Sequence, residues 1–176
     1  LDYTKQYTDS PFLVKLEKEG ANYVPGQLVR ANEISEFSTV ENGDWKFLNI
    51  DSKTGKLVIP KGTMGHRWEK KGGNWNMKLE HEVDNQPYDP YLTLLSSHDE
   101  VLQVDFTEFG LDMHRQRGVP TKYIQTSSGK IPVTTVYDLV MAQYGVDRGL
   151  AGEYPKDYTD KDASYTPAWQ EIFTGV

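Results

Sequence analysis

The sequence predicts an α+β fold: β-rich, with hairpins and antiparallel sheet, and a small helical C-terminal part. Three observations carry this. The stretch "WNMKLEHEV" alternates apolar and polar with a period of two, as a half-buried strand does. Two other stretches place apolar runs on either side of a Gly-bearing turn, as hairpins do. From Thr135 onward the pattern changes to short capped segments of helical period.

Taken in order, "PFLVKLE" (Pro11–Glu17) and "GQLVRA" (Gly26–Ala31) read as strands around a loop carrying Asn22 and Pro25-Gly26. "WKFLNID", "SKTG" and "KLVIP" form a hairpin with its turn at Ser52–Gly55. In "WNMKLEHEV", Trp75, Met77, Leu79, His81 and Val83 share one face, and Asn76, Lys78, Glu80 and Glu82 the other. "DNQPYDPY" and "GLDMHRQRGVP" read as loops. "TKYIQT-SSG-KIPVTT" (Thr121–Thr135) is a second hairpin, turning at Gly129. "TTVYDLVMAQYG" starts a helix with Thr135-x-x-Asp138, sets Val136, Leu139, Val140 and Gln143 on one side, and stops at Gly145. A Tyr- and Asp-rich connector, Gly149 to Ser164, leads to a closing helix. Thr166 caps it, Pro167 opens it, Gly175 ends it, and Trp169, Ile172 and Phe173 form its apolar stripe. The division expected is a β-rich, insert-like region 1–133 and a helical segment 134–176, packed as one unit.

Composition narrows function mostly by exclusion. The 176 residues are 37% hydrophobic and 26% charged, with no apolar run near the roughly 18 residues of a membrane span. The absence of cysteine removes disulfides, thiolate nucleophiles and cysteine-ligated metal or iron–sulfur sites. A net charge of -7 disfavours a nucleic-acid partner, which needs concentrated Lys and Arg. Charge is segregated, however. Ser52 to Lys78 carries seven Lys/Arg and one acid, whereas Leu79 to Asp112 carries nine acids and no Lys or Arg. Either this is a dipolar surface that orients a partner, or the residues are solvated strand faces and edges.

A search for chemistry identifies no catalytic, cofactor-binding or metal-ligating residue. The histidines His66, His81, His98 and His114 do not fall at the spacing that puts two imidazoles on one helical face. Ser97, His98 and Asp99 stand in a row, but a hydrolytic triad is assembled from separate segments. The glycines of "KGTMGHRW" and "KKGGNW" match no phosphate-binding loop. Acid pairs are abundant, which leaves an acid-pair hydrolase as a weak third reading. The 4 Trp and 11 Tyr suit core and cross-strand pairs, or a sugar-stacking platform.

The motifs themselves carry a likeness. "VTTVYDLVMAQYGVDRGLAGEYP" with "YTPAWQEIFTGV", and "YTDSPFLVKLE", "YVPGQLVRA", "GDWKFLNID" and "GTMGHRWEKKGGNWNMKLE" in the same order, resemble the alpha subunit of membrane-bound respiratory nitrate reductases, particularly the Gram-positive type. The "TPAW…TGV" ending is shared more loosely across the molybdopterin oxidoreductases. The resemblance implies a catalytic subunit of well over a thousand residues, of which this chain is an internal piece that continues past Gly175 into another helix. It implies a molybdenum bis(molybdopterin guanine dinucleotide) cofactor and a [4Fe–4S] cluster elsewhere in that subunit. It also implies an iron–sulfur beta subunit, a haem-bearing membrane subunit, and reduction of nitrate to nitrite on the cytoplasmic side of the membrane with electrons from quinol.

This chain lacks the cysteines that hold the family's cluster, and the molybdenum-ligating aspartate lies upstream of anything matched here. No Asp of this chain inherits that role. The expectation is therefore an inert piece of scaffold or interface, in which most of residues 11–133 is an elaboration of the nitrate reductase branch. Its partners would be the remainder of the alpha subunit and the two other subunits, with non-native self-association open to the isolated piece. The rival is a stand-alone ligand- or protein-binding β-rich module with a compact aromatic groove; the fragment reading predicts an exposed apolar patch around the last helix.

Overall fold

The computed structural model describes residues 1–62, 78–108 and 113–175. A short helix α1 (Asp2–Tyr7) precedes two strands, β1 (Leu13–Glu19) and β2 (Asn22–Leu28). Three two-residue strands follow: β3 (Asn49–Ile50), β4 (Leu57–Val58) and β5 (Pro60–Lys61). Then come β6 (Lys78–His81), β7 (Glu100–Thr107), β8 (His114–Thr126) and β9 (Gly129–Thr135), and the helices α2 (Val136–Gln143) and α3 (Pro167–Thr174). The chain is α+β and β-rich, as the patterning predicts.

Five strands close a barrel in the order β1-β2-β7-β8-β9, with β9 pairing back onto β1. All contacts are antiparallel except the seam between β2 and β7, which meets at Tyr23 and Val104. Closure satisfies strand edges that would otherwise be open to unwanted pairing. β1 works on both of its faces because its side chains alternate. Val14 and Leu16 point into the barrel with Leu102, Val104, Phe106 and Val119, and Leu139 and Ala142 of α2 complete that cluster. Leu13 points outward into a second core with Val29, Phe37, Leu48, Ile50, Ile59 and Val133, so residues 29–59 form a layer outside the barrel wall.

Local signals place several elements as expected. The 52–55 turn is built on Asp51, whose carboxylate accepts from the Lys53 N–H at 3.3 Å and the Thr54 hydroxyl at 2.6 Å. The β8–β9 hairpin pairs Thr126 with Gly129. Thr135 caps α2 by accepting from Asp138 N at 3.1 Å, and Thr166 caps α3 by accepting from Trp169 N at 3.1 Å. Such a cap is worth about 1 kcal/mol.

Elsewhere tertiary pairing overrides the local reading. The loop expected at Asn22 and Pro25-Gly26 is strand. The reversal falls earlier, at Gly20 (φ 61), and Pro25 is accommodated beside a register shift between Val14 and Leu16. "GLDMHRQRGVP" is strand from His114, because that stretch pairs residue by residue with β7 from Thr107 back to Glu100. β7 is itself an addition to the expected strands. β6 ends at His81, where Asn85 N donates to His81 O at 2.9 Å, so Val83 leaves the apolar face and is 58% exposed. Trp75, Asn76 and Met77 of that stretch, with His66, Arg67, Lys70 and Lys71, lie outside the described residues. On α2 the buried side is Asp138, Leu139 and Ala142, and Val140 faces out.

Candidate functional site

Among the described histidines, His81 and His98 are held in separate surroundings. His81 Nδ1 accepts from Ile59 N at 3.0 Å and the ring packs edge-on to Phe37, a structural placement. In the Ser97–His98–Asp99 row, His98 Nδ1 lies 2.9 Å from Leu95 O. Asp99 instead accepts from Tyr123 N at 3.0 Å and faces Lys122 at 3.7 Å. His98 and Asp99 are held by different neighbours, and the row forms no triad.

Among the described residues the basic and acidic stretches meet at Lys61 and Glu80, while Glu82 and Asp89 take lysines from outside the basic stretch. Lys46 pairs with Glu82 at 3.1 Å, Lys61 with Glu80 at 3.5 Å, and Lys5 with Asp89 at 2.6 Å. Among the described residues the acidic stretch is partly neutralised by lysines that precede it.

What the fold does bring together lies at one end of the barrel. β7 and β8 put Asp105 diagonally across from His114, with Asp105 Oδ2 3.4 Å from His114 Nδ1. Two clefts share this pair. One of about 610 Å³ adds Glu19, Asn22, Thr107 and Gln143, and the other, about 450 Å³, adds Arg115 and Glu153. Asp105 Oδ1 is buried with no hydrogen-bond partner among the described residues. A carboxylate–imidazole pair can hold a cation or pass a proton. Among the described residues the larger cleft sets no strong nucleophile beside it. Gln143 is committed, its amide donating to Thr107 O at 3.2 Å and the Tyr165 hydroxyl at 3.1 Å.

Beside the clefts runs an ionic network that is buried at Glu108 and open to solvent at Glu153. Glu108 accepts from Arg115 Nε and from the Ser164 hydroxyl, and Arg115 Nη1 reaches Glu153 at 2.8 Å. Burial acts to raise the Glu108 pKa, but the Ser164 hydroxyl and Arg115 outweigh it and hold the carboxyl below its ordinary value. Arg117 is 3% exposed and pairs with carbonyls instead of a carboxylate. Its Nη1 donates to Ala142 O at 2.6 Å and Gln143 O at 2.9 Å, and its Nε to Glu153 O at 2.8 Å. The cation thus closes the C-terminal end of α2, where orphan carbonyls and the helix dipole favour positive charge. Burial, then the neighbouring Arg115, lowers its pKa from the ordinary arginine value.

Of these residues the sequence drew attention for chemistry only to His114, as one of four histidines without a motif. The usable signal was the alternation of Leu102, Val104 and Phe106 in "EVLQVDFT", which turns Asp105 to the opposite face. Among the described residues, no group of three or more His, Cys, Asp or Glu could hold a metal ion. Nor, among the described residues, is any helix long and apolar enough to cross a membrane.

No protein-family model matches the chain. It is 36% identical over 178 residues to the nitrate reductase alpha chain of Bacillus subtilis (strain 168), using 100% of this chain and 14% of that protein. It is 36% identical over 191 residues to the respiratory nitrate reductase 1 alpha chain of Escherichia coli (strain K12), using 99% of this chain and 15% of that one. With the nitrate reductase alpha subunit of Mycobacterium tuberculosis (strain ATCC 25618 / H37Rv) the identity is 40% over 191 residues, using 100% of this chain and 14% of that subunit.

Proposed function

The chain belongs over its whole length with one segment of the nitrate reductase alpha chains, and from that premise we propose that it is a non-catalytic scaffold segment of such a subunit. The observation that carries this reading is the asymmetry of coverage: nearly all of this chain against 14% to 15% of each relative. The whole subunit would reduce nitrate to nitrite at a molybdenum centre, fed with electrons from quinol through an iron–sulfur beta subunit and a haem-bearing membrane subunit at the cytoplasmic face of the membrane. Region 1–133 would be the insert-like part, and 134–176 would join the cofactor-binding body.

The residues present do not fit an iron–sulfur cluster held by thiolates, because the sequence has no cysteine. The buried polar groups support a structural role. Asp138, Glu108 and Arg117 are engaged by neighbours within the chain, an arrangement that fixes geometry and leaves little for substrate.

The test uses the whole alpha polypeptide containing this segment, expressed with its partner subunits, beside residues 1–176 alone. The whole assembly is expected to reduce nitrate with reduced viologen and to contain molybdenum; the segment alone is expected to do neither. Turnover or stoichiometric molybdenum in the segment would overturn the scaffold reading.

A further inference from the structure

We propose that the outer face shared by the end of α2 and the whole of α3 is where another stretch of the same alpha polypeptide packs. This rests on the reading above and adds the surface through which the segment is held. α3 has eight residues and none is buried, although its sequence is apolar on one side. Ile172 is 67% and Phe173 63% exposed, and Tyr144 and Val140 at the end of α2 are exposed as well. Isolated helices this short are marginal in water and draw most of their stability from packing an apolar face.

The face is continuous. Ring centroids run Tyr144–Tyr165 at 5.0 Å, Tyr165–Trp169 at 5.5 Å and Trp169–Phe173 at 4.7 Å. Tyr165 joins the row from a left-handed backbone conformation, φ 71, which aromatic residues seldom adopt. An unfavourable conformation that aligns four rings, Tyr144 and Phe173 exposed and Tyr165 and Trp169 half-buried between them, persists where the surroundings demand it.

The occupant is an apolar stretch of the same polypeptide. The relatives match this chain along its whole length, yet the match accounts for only 14% to 15% of theirs, so most of such a subunit lies outside these residues. A second copy of the segment is the poorer occupant, because each copy brings a net charge of -7 and the two repel.

The test places the photo-crosslinker benzoyl-phenylalanine at position 173 of the complete alpha chain, assembled with its subunits. Crosslinks to alpha-chain peptides outside residues 1–176 are the expected result. Crosslinks to a second copy, crosslinks to another subunit, or none at all would overturn the proposal. Hydroxyl-radical footprinting of the unmodified assembly guards against a variant that fails to fold. Trp169 and Phe173 are expected to lose labelling, and labelling as fast as the free amino acids overturns the proposal. Nitrate turnover in the same preparation separates the two claims. Turnover with α3 open to solvent removes the docking face alone; a protected α3 without turnover removes the nitrate reductase reading alone.

Discussion

Arg148 closes over a fully buried carboxylate, its Nη1 2.6 Å from Asp138 Oδ1. The same carboxylate accepts from the Thr93 hydroxyl at 2.6 Å and Leu94 N at 2.8 Å, so one side chain ties two segments, that of Thr93–Leu94 and that of Arg148, to the first turn of α2. Arg148→Met leaves that buried charge without its cation and is expected to cost about 3 kcal/mol. Combining it with Asp138→Asn should cost less than the sum of the single changes, because the two residues share one interaction. Urea unfolding of the four proteins of the cycle measures the coupling, and strict additivity would refute it.

Arg117 is expected to be as demanding for a different reason. Its guanidinium reaches the end of α2 and Glu153 O at once, which needs two directions of donation. Arg117→Met should lose about 3 kcal/mol by orphaning buried carbonyls. Arg117→Lys should recover little of it, since one ammonium cannot serve both sites. Recovery of most of the stability by lysine in thermal or urea denaturation would show that charge alone suffices.

Gly152 lies against β8 with φ 148, where an added Cβ would stand 3.0 Å from Arg117 Cα and from Gln116 O. Gly152→Ala meets both a backbone that resists side chains and atoms that cannot move aside, and should cost about 2 kcal/mol or more. Gly20, at φ 61 with open space around it, isolates the first effect, so Gly20→Ala should cost only about 1 kcal/mol. Calorimetry on the two variants tests that ranking.

Acid should unfold the protein through specific carboxyls. At Asp51, Asp89 and Glu108 burial pushes the pKa upward. Hydrogen bonds overcome it, from Thr54 at Asp51, from Lys5 and Ser52 at Asp89, and from Ser164 and Arg115 at Glu108. Their folded values therefore lie below the unfolded values of about 4, and the stability they contribute is complete above that pH. It is lost as the pH falls through the lower folded values. Urea midpoints should be level above about pH 5 and decline below about pH 4, and Glu108→Gln should flatten part of that decline. An unchanged acid limb in the variant would remove Glu108 from the account.

Much of the segment was legible where a signal and its partner lie within a few residues. The Thr135 and Thr166 caps, the Asp51 turn and the β8–β9 hairpin each close over two to four positions. The polar clusters were not legible for the converse reason. Arg117 finds Ala142 and Glu153, Ser164 finds Glu108, and Asp138 finds Thr93 across tens of residues, and no local pattern encodes such meetings. The stretch from His114 to Pro120 reads as loop by itself, with its basic residues, Gly118 and Pro120. It becomes strand because β7 supplies a partner along its length.

By itself, then, the sequence determined the α+β class, the capped helices, the hairpin turns and the likeness to nitrate reductase alpha chains. Each depends on residue order or on contacts between near neighbours. The tertiary structure decided that β1 divides two cores, that α2 buries Asp138 and Leu139 and leaves Val140 out, and that the apolar side of α3 stays open. Those outcomes follow from barrel closure, which chooses the face of each element that leaves water, and that choice is made by strands far apart in the chain.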